Sequence, residues 1–261
     1  MICNHSTTMR FFSVVTVLAC LGLNSSVMAQ YEEEDGFVSL FNGKDLSGWK
    51  VPQGDNGHWR VVEGVIDYDA ASEAEKDKNL WTEKSYGDFI LKVDWRLKNE
   101  PQAPYPTPIV LQDGSYLTDA TGKTITIKRL SPDSGIYLRG TPKGQVNIWN
   151  WPVGSGENYS YRHQQANPVI RAGATPRTKG DNPVGEWNRF EIYMIGNRLT
   201  ILINERLVTE NAELPGLPES GPIGLQHHGG RNADGTYRAA SSLVQFRNIW
   251  IKELPRTVTP E

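Results

Sequence analysis

Cysteine is almost absent from this chain of 261 residues: there are two, Cys3 and Cys20, and both fall within the first 29 positions. From Gln30 onward there is no thiol, which excludes a disulfide framework, a cysteine nucleophile and a thiolate metal site. Stability must therefore come from an apolar core. An excess of one charge is also missing, since 27 Lys and Arg stand against 30 Asp and Glu. The cations are scattered among carboxylates and form no basic stripe of the kind nucleic acid binding requires. The one long apolar run, Phe11 to Leu23, has 13 residues, short of the roughly 20 that a spanning helix needs, so no membrane span is expected. Helical periodicity is absent beyond that run.

The run itself has a role. Arg10, the apolar stretch and the small-residue ending Val27-Met28-Ala29 have the three-part layout of a secretory signal peptide over residues 1–29, with cleavage after Ala29 and an exported, periplasmic or extracellular, product. Val17-Leu18-Ala19-Cys20 is the competing signal, a lipid-attachment box that would make a lipoprotein anchored at Cys20. Taking Arg10 from the 27 cations leaves 26. Residues 30–261 are long enough for one large all-β domain with its core at about 37–254.

What the sequence does contain is turn formers and aromatics: 25 Gly, 16 Pro, 8 Trp and 10 Tyr. Short strands fit that composition and long helices do not. Trp59 to Glu63 and Val65 to Tyr68 flank Gly64 as a hairpin. Asp88 to Leu97 alternates with period two, as do Phe190 to Met194 and Leu199 to Ile203 on either side of Gly196-Asn197. Ala70 to Lys78, Asn99 to Pro108 and Gln164 to Pro183 are expected to be surface loops, the second because its prolines cannot join a ladder. So many one-sided strands predict two antiparallel sheets packed face to face, a β-sandwich.

The polar sides of these strands are unusual. They carry Lys92, Asp94 and Arg96; Tyr137 and Arg139; Gln145, Asn147 and Trp149; Gln226 and His228. Amides and guanidinium groups read hydroxyls, and aromatic rings stack on the C–H faces of a pyranose, so carbohydrate is the expected partner. A set of ordinary solvated faces is the plainer alternative. Adjacent His227 and His228 must point to opposite faces, and alternation with Ile223 and Leu225 sends His228 outward. His228 is either a proton-transfer group or a satisfied structural histidine. Asp94 is a base, a metal ligand or a member of an ion pair. Glu157, following Gly154-Ser155-Gly156, is a loop acid or merely a solvated one. No phosphate-binding loop, G-x-S-x-G elbow or His-x-x-x-His metal motif is present.

An ordered series of motifs carries a resemblance: Leu40-Phe-Asn-Gly-Lys-Asp-Leu-Ser-Gly-Trp49, Tyr86-Gly-Asp-Phe89 leading to Asp94-Trp-Arg96, Asp133-Ser-Gly-Ile-Tyr-Leu-Arg139, Gly185-Glu-Trp-Asn188, Gly224-Leu-Gln-His-His-Gly229 and Phe246-Arg-Asn-Ile249. The series resembles the 3-keto-disaccharide hydrolase domain, once catalogued as a domain of unknown function, across about Phe37 to Leu254. The resemblance implies a concanavalin A-like jelly roll and action on glycosides oxidised to a ketone at C3. Such a ketone acidifies the C2 hydrogen. A base removes it, donors or a divalent metal stabilise the enolate, the C1 substituent leaves and water adds. In that scheme His228, or else Asp94, is the base. Arg139 and Arg96 hold developing charge, Gln145 and Asn147 orient hydroxyls, and Trp149 is the floor. Tyr137, Glu157 and Gln226 complete the substrate contacts, while the sequence leaves the metal question open. One departure stands out: where much of the family has Glu-x-Gln-Ile-x-Asp, this chain has Gln145-Val-Asn-Ile-Trp-Asn150, two carboxylates replaced by amides. That change keeps a second reading in play, a non-catalytic, lectin-like carbohydrate-binding module. A third, a glucanase with two carboxylates, finds no strand presenting a close acid pair.

Overall fold

Strand alternation sorts the side chains into an apolar and a polar set, and the computed structural model, which describes residues 35–164 and 167–255, shows where each set goes. The expected signal segment lies outside the described residues. The larger sheet runs from edge to edge as β13 (Arg206–Glu213), β12 (Arg198–Ile203), β11 (Asn188–Ile195), β6 (Phe89–Leu97), β15 (Leu243–Glu253), β4 (Val65–Asp69) and β3 (Trp59–Val62), with β1 (Val38–Ser39) paired to β15. The smaller sheet is β10 (Gln145–Trp149), β9 (Asp133–Tyr137), β14 (Gly221–Leu225), β5 (Leu80–Tyr86) and β2 (Trp49–Lys50). Pairing within both is antiparallel. The chain is thus a two-sheet antiparallel β-sandwich, a jelly roll of the concanavalin A type.

The core forms where the apolar faces meet. Phe89, Leu91, Val93, Trp95 and Leu97 of β6 pack with Ile136, Val146, Ile148, Ile223, Leu225 and Leu80 of the smaller sheet in a single buried cluster. Burying each such side chain is worth about 1.5–3 kcal/mol, so the alternation is enforced on every strand. A shift of one residue would turn each of these side chains to water. The expected hairpin turn at Gly64 is present, with Glu63 and Gly64 both at positive φ, 51° and 76°, as a two-residue turn that follows strand twist requires.

Two expectations for loops are corrected. Tyr105–Pro108 is a strand, β7, paired with Thr126–Arg129, β8, in a separate two-stranded ribbon. Its prolines, Pro106 and Pro108, alternate with Tyr105 and Thr107, so a narrow ribbon accommodates them where a central strand would not. The segment after Gln164 contains a short helix, α2 (Pro168–Gly173), preceded by α1 (Tyr159–Gln164). Asn167 caps α2 by accepting from the Val169 amide, and Pro168 occupies its first turn, the position where proline is favoured. Six residues are too few to show a period of 3.6.

Candidate functional site

Register places the outward side chains of the smaller sheet in rows. One row crosses all five strands: Lys50, Trp81, Gly224, Tyr137 and Gln145 are successive cross-strand partners. The next holds Gln226, whose amide donates to the Gly135 carbonyl, then Gly135 and its partner Asn147. At the edge, Gly156 and Glu157 together pair with Asn147, two residues opposite one, as in a β-bulge. A third row pairs Asp133 with Trp149.

Two glycines make this surface. A Cβ on Gly135 would stand 3.0 Å from both Gln145 Nε2 and Gln226 Oε1, and one on Gly224 would stand 2.6 Å from the Trp81 ring. Their bare backbones let large polar and aromatic groups lie flat across the sheet. Over Gly135, Gln145 Nε2 donates to Gln226 Oε1 at 2.7 Å. Beside Gly224, the Trp81 and Tyr137 rings stack at 5.5 Å and 20°. Burial pushes the Tyr137 phenol up to about 12, with a hydrogen bond from Gln226 opposing the shift, so Tyr137 remains a protonated donor at neutral pH.

Titratable groups gather at the far end of the face. His228 Nδ1 lies 2.7 Å from the Ala240 carbonyl. A carbonyl only accepts, so Nδ1 carries the hydrogen and the neutral ring keeps its lone pair on Nε2. Ser242 ties the histidine to Asp133: the His228 amide donates to Ser242 Oγ at 2.7 Å, and Ser242 Oγ donates to the Asp133 carbonyl at 2.7 Å. Burial lifts Asp133 to about 7, with His228 pulling the other way. Asp133 keeps some exposed surface, whereas Glu157 has none. Glu157 is also pushed up to about 7, first by burial and against the pull of Arg162. Its Oε1 sits 2.7 Å from Arg162 Nε, an ion pair without hydrogen-bond alignment. Arg162 donates onward to Tyr116 and the Gly114 carbonyl. His227, pointing into the sandwich, bonds the Tyr68 hydroxyl at 2.6 Å and is lowered to about 4 by burial.

The residues singled out from sequence are therefore divided. Tyr137, Gln145, Asn147, Gln226, Glu157 and His228 share the smaller sheet's outer face. Asp94 and Arg96 do not: alternation with Val93, Trp95 and Leu97 in the core puts them on the outer face of the larger sheet, across the sandwich. There Asp94 binds Arg189 Nε and Asn248 Nδ2, each at 2.7 Å, and Arg96 donates to Gln245 and lies over the Trp187 ring. Asp94 is the ion-pair member of its alternatives. Arg139 follows β9 at positive φ, 54°, which swings it out of the row. It is 3% exposed and clamps Asp88, at 2.7 Å, and the carbonyls of Gly87, Gly196 and Pro218. Trp149 does face outward, yet it is no open floor. A second apolar cluster with Val110 and Trp151, flanked by Tyr105, Tyr116 and Tyr159, covers it, and it stacks on Trp151 at 3.9 Å and 4°. Its Nε1 donates to the Gly154 carbonyl at 2.6 Å.

Sequence reasoning missed Trp81 and Asp133 as site members. Asp133 stood in a motif without being assigned a role. Trp81 lies in a strand whose charged residues, Glu83 and Lys84, conceal the alternation. Where the family carries carboxylates, Gln145 is spent on Gln226 and Asn150 Nδ2 donates to the Leu130 carbonyl at 2.7 Å. For a divalent cation, which wants several carboxylate or imidazole donors together, the fit is poor: among the described residues no three His, Asp or Glu are grouped so that they could hold a metal ion. No described helix is long and apolar enough to cross a membrane.

The model of the 3-keto-alpha-glucoside-1,2-lyase-like domain matches residues 36–252. The chain belongs to that family. This lyase-like family is carbohydrate-active and glycosyl-hydrolase-like, and two solved structures share its architecture. Each is described as a “putative glycosyl hydrolase” from Parabacteroides distasonis ATCC 8503. One has 21% identity and a TM-score of 0.53, covering 87% of this chain and 97% of that one. The other has 22% identity and a TM-score of 0.50, covering 84% of each. At this identity the likeness extends to the fold. No curated protein matches the chain.

Proposed function

We propose that the protein cleaves 3-keto-glycosides by removing the C2 proton, eliminating the C1 substituent and adding water to the resulting enone. The observation that carries the reading is the His228 imidazole, its Nδ1 held by the Ala240 carbonyl and its Nε2 left as the basic atom, next to the Asp133 carboxyl. In this scheme Nε2 takes the C2 proton, and the attraction between Asp133 and His228, which favours the carboxylate, stabilises the imidazolium that forms. The C1–O bond breaks as the enolate collapses, and the departing oxygen takes a proton from His228 or from solvent. Water then adds its oxygen at C1 and a proton at C2, so a glycoside and one water give a 3-keto sugar and a free alcohol. The Tyr137 hydroxyl and the Gln145–Gln226 amide pair supply neutral donors for the ketone oxygen and ring hydroxyls. Export through the segment 1–29 belongs to the same proposal, on the three-part layout of that segment.

The test is direct. Purified protein is incubated with 3-keto glycosides and with their unoxidised parents, and sugar release is followed. Release from the oxidised set alone, cut by about 10²–10⁴-fold in His228→Gln, is the expected result. Sugar binding with no turnover of any 3-keto glycoside would make this face a lectin-like binding site instead.

A further inference from the structure

Beside the His228 end of the face lies an open cleft of about 670 Å³ lined by Lys50, Asn56, Glu73, Asp77, Asn79 and Trp81 among others. Its wall is built with care. Trp81 lies over Gly224, where any side chain would collide with the ring, and its indole Nε1 donates to Asp77 Oδ2 at 2.5 Å. Asp77 also holds Asn79 Nδ2 at 2.6 Å, and Asn79 Oδ1 accepts from the His227 amide at 2.8 Å. The ring is thus fixed in plane and tilt before any ligand arrives, and it borders a cleft that sets amides, carboxylates and lysines beside Val51, Pro52 and Gly54. A preset indole in such a wall is a platform for a pyranose: its C–H face stacks on the ring while neighbouring polar groups take the hydroxyls. Burying an indole edge merely to complete the core would not need an adjoining open volume or a glycine beneath it.

We propose that the Trp81 cleft is a second saccharide subsite, holding the unoxidised sugar that departs from C1. The proposal rests on the elimination reading for the order of the two sugars, not for the binding itself. Geometry supports that order. Trp81 lies over Gly224, and His228 follows four residues later, at most about 13 Å along an extended strand, so one short saccharide reaches both. Gln226, which alternates outward between Gly224 and His228, lies between the two and reads the hydroxyls of the sugar passing over it.

Two measurements test this on the full chain. With ¹⁵N-labelled indoles, the Trp81 signal is assigned from Trp81→Phe and then followed during titration with glucose and with cellobiose. It should move at millimolar sugar while the buried Trp59 and Trp95 signals stay put. Kinetically, Trp81→Ala should raise KM for a 3-keto disaccharide about tenfold, as loss of a central aromatic contact does. It should leave KM for a 3-keto methyl glucoside, which has no departing sugar, unchanged, and Trp81→Phe should recover most of the loss. An indole signal indifferent to both sugars, or an equal effect of Trp81→Ala on the two substrates, would overturn the subsite. A moving indole signal in a protein with no 3-keto activity would leave the subsite standing and remove the elimination reading. If Trp81→Ala fails to fold, the titration of the wild-type indole decides alone.

Discussion

Replacing Trp149 with alanine separates a ligand platform from a structural prop, and the two give opposite results. Trp149 is 3% exposed, stacked on Trp151 and hydrogen-bonded to the Gly154 carbonyl. Truncating a buried tryptophan costs about 3–5 kcal/mol in lost transfer energy and cavity. The lost hydrogen bond is part of that range, adding at most about 1 kcal/mol. For a domain of this size each kcal/mol shifts Tm by roughly 2–4 °C, so Trp149→Ala should melt some 6–20 °C below the wild type. Thermal unfolding followed by near-ultraviolet circular dichroism, which reports the buried aromatic residues that remain, such as Trp59 and Trp95, is the suitable assay. Because Tyr105 of β7, Tyr159 of α1 and Tyr116 pack against this cluster, the segment around Tyr105 and Tyr116 should also become more protease-sensitive. A Tm within 3 °C of the wild type, accompanied by weakened sugar binding, would refute the placement of Trp149 beneath a cover and restore it as an open floor.

Further outcomes follow from the same geometry. Arg139→Lys keeps the charge but loses the fork that joins Asp88 to three carbonyls, so stability should fall by about 1.5–3 kcal/mol, the worth of a hydrogen bond to a charged group, in urea unfolding with any kcat of the folded protein unchanged. A lower kcat at full stability would return Arg139 to the site. Asp94→Asn and Arg96→Ala alter the far face and should leave kcat/KM within about twofold; a larger loss would mean the two faces are coupled. Glu157 is held above its unfolded value, so it favours the fold while protonated, and that contribution is lost as pH rises from about 4.5 to 7. His227 is held below its unfolded value, so its contribution is complete above about 6.5 and is lost as pH falls to about 4. Urea unfolding of Glu157→Gln should therefore lack part of the wild-type decline between pH 4.5 and 7, and identical pH profiles would contradict the burial of that carboxyl.

Much of the fold was legible because the pattern that encodes it is local. Phe89, Leu91, Val93, Trp95 and Leu97 announce a strand and a buried face in nine residues, and Glu63-Gly64 announces a turn. The facing of His227 and His228 followed from the same alternation. What alternation cannot say is which sheet a strand joins. Asp94 and Tyr137 are both outward polar residues on clean strands, yet β6 and β9 belong to different sheets, so the two point away from each other. The reach of covering loops is equally hidden. Alternation turns Trp149 outward, but only the fold brings Val110 and Tyr116, some 30 to 40 residues earlier in the chain, down on top of it. Arg139 continues the alternation in sequence and breaks it in space, through a single positive φ that no residue type demanded. Trp81 escaped notice because its role depends on a glycine more than 140 positions later.

The most direct test of the elimination chemistry is the fate of the C2 hydrogen. A 3-keto disaccharide is treated with the protein in heavy water, and the products are examined by NMR and mass spectrometry. Removal by His228 Nε2 and return from solvent predict a free alcohol sugar together with a 3-keto product carrying deuterium at C2, with the unoxidised disaccharide intact in a parallel tube. A 3-keto product that retains its original C2 hydrogen, at a rate unaffected by His228→Gln, would contradict proton abstraction at this site and with it the proposed reaction.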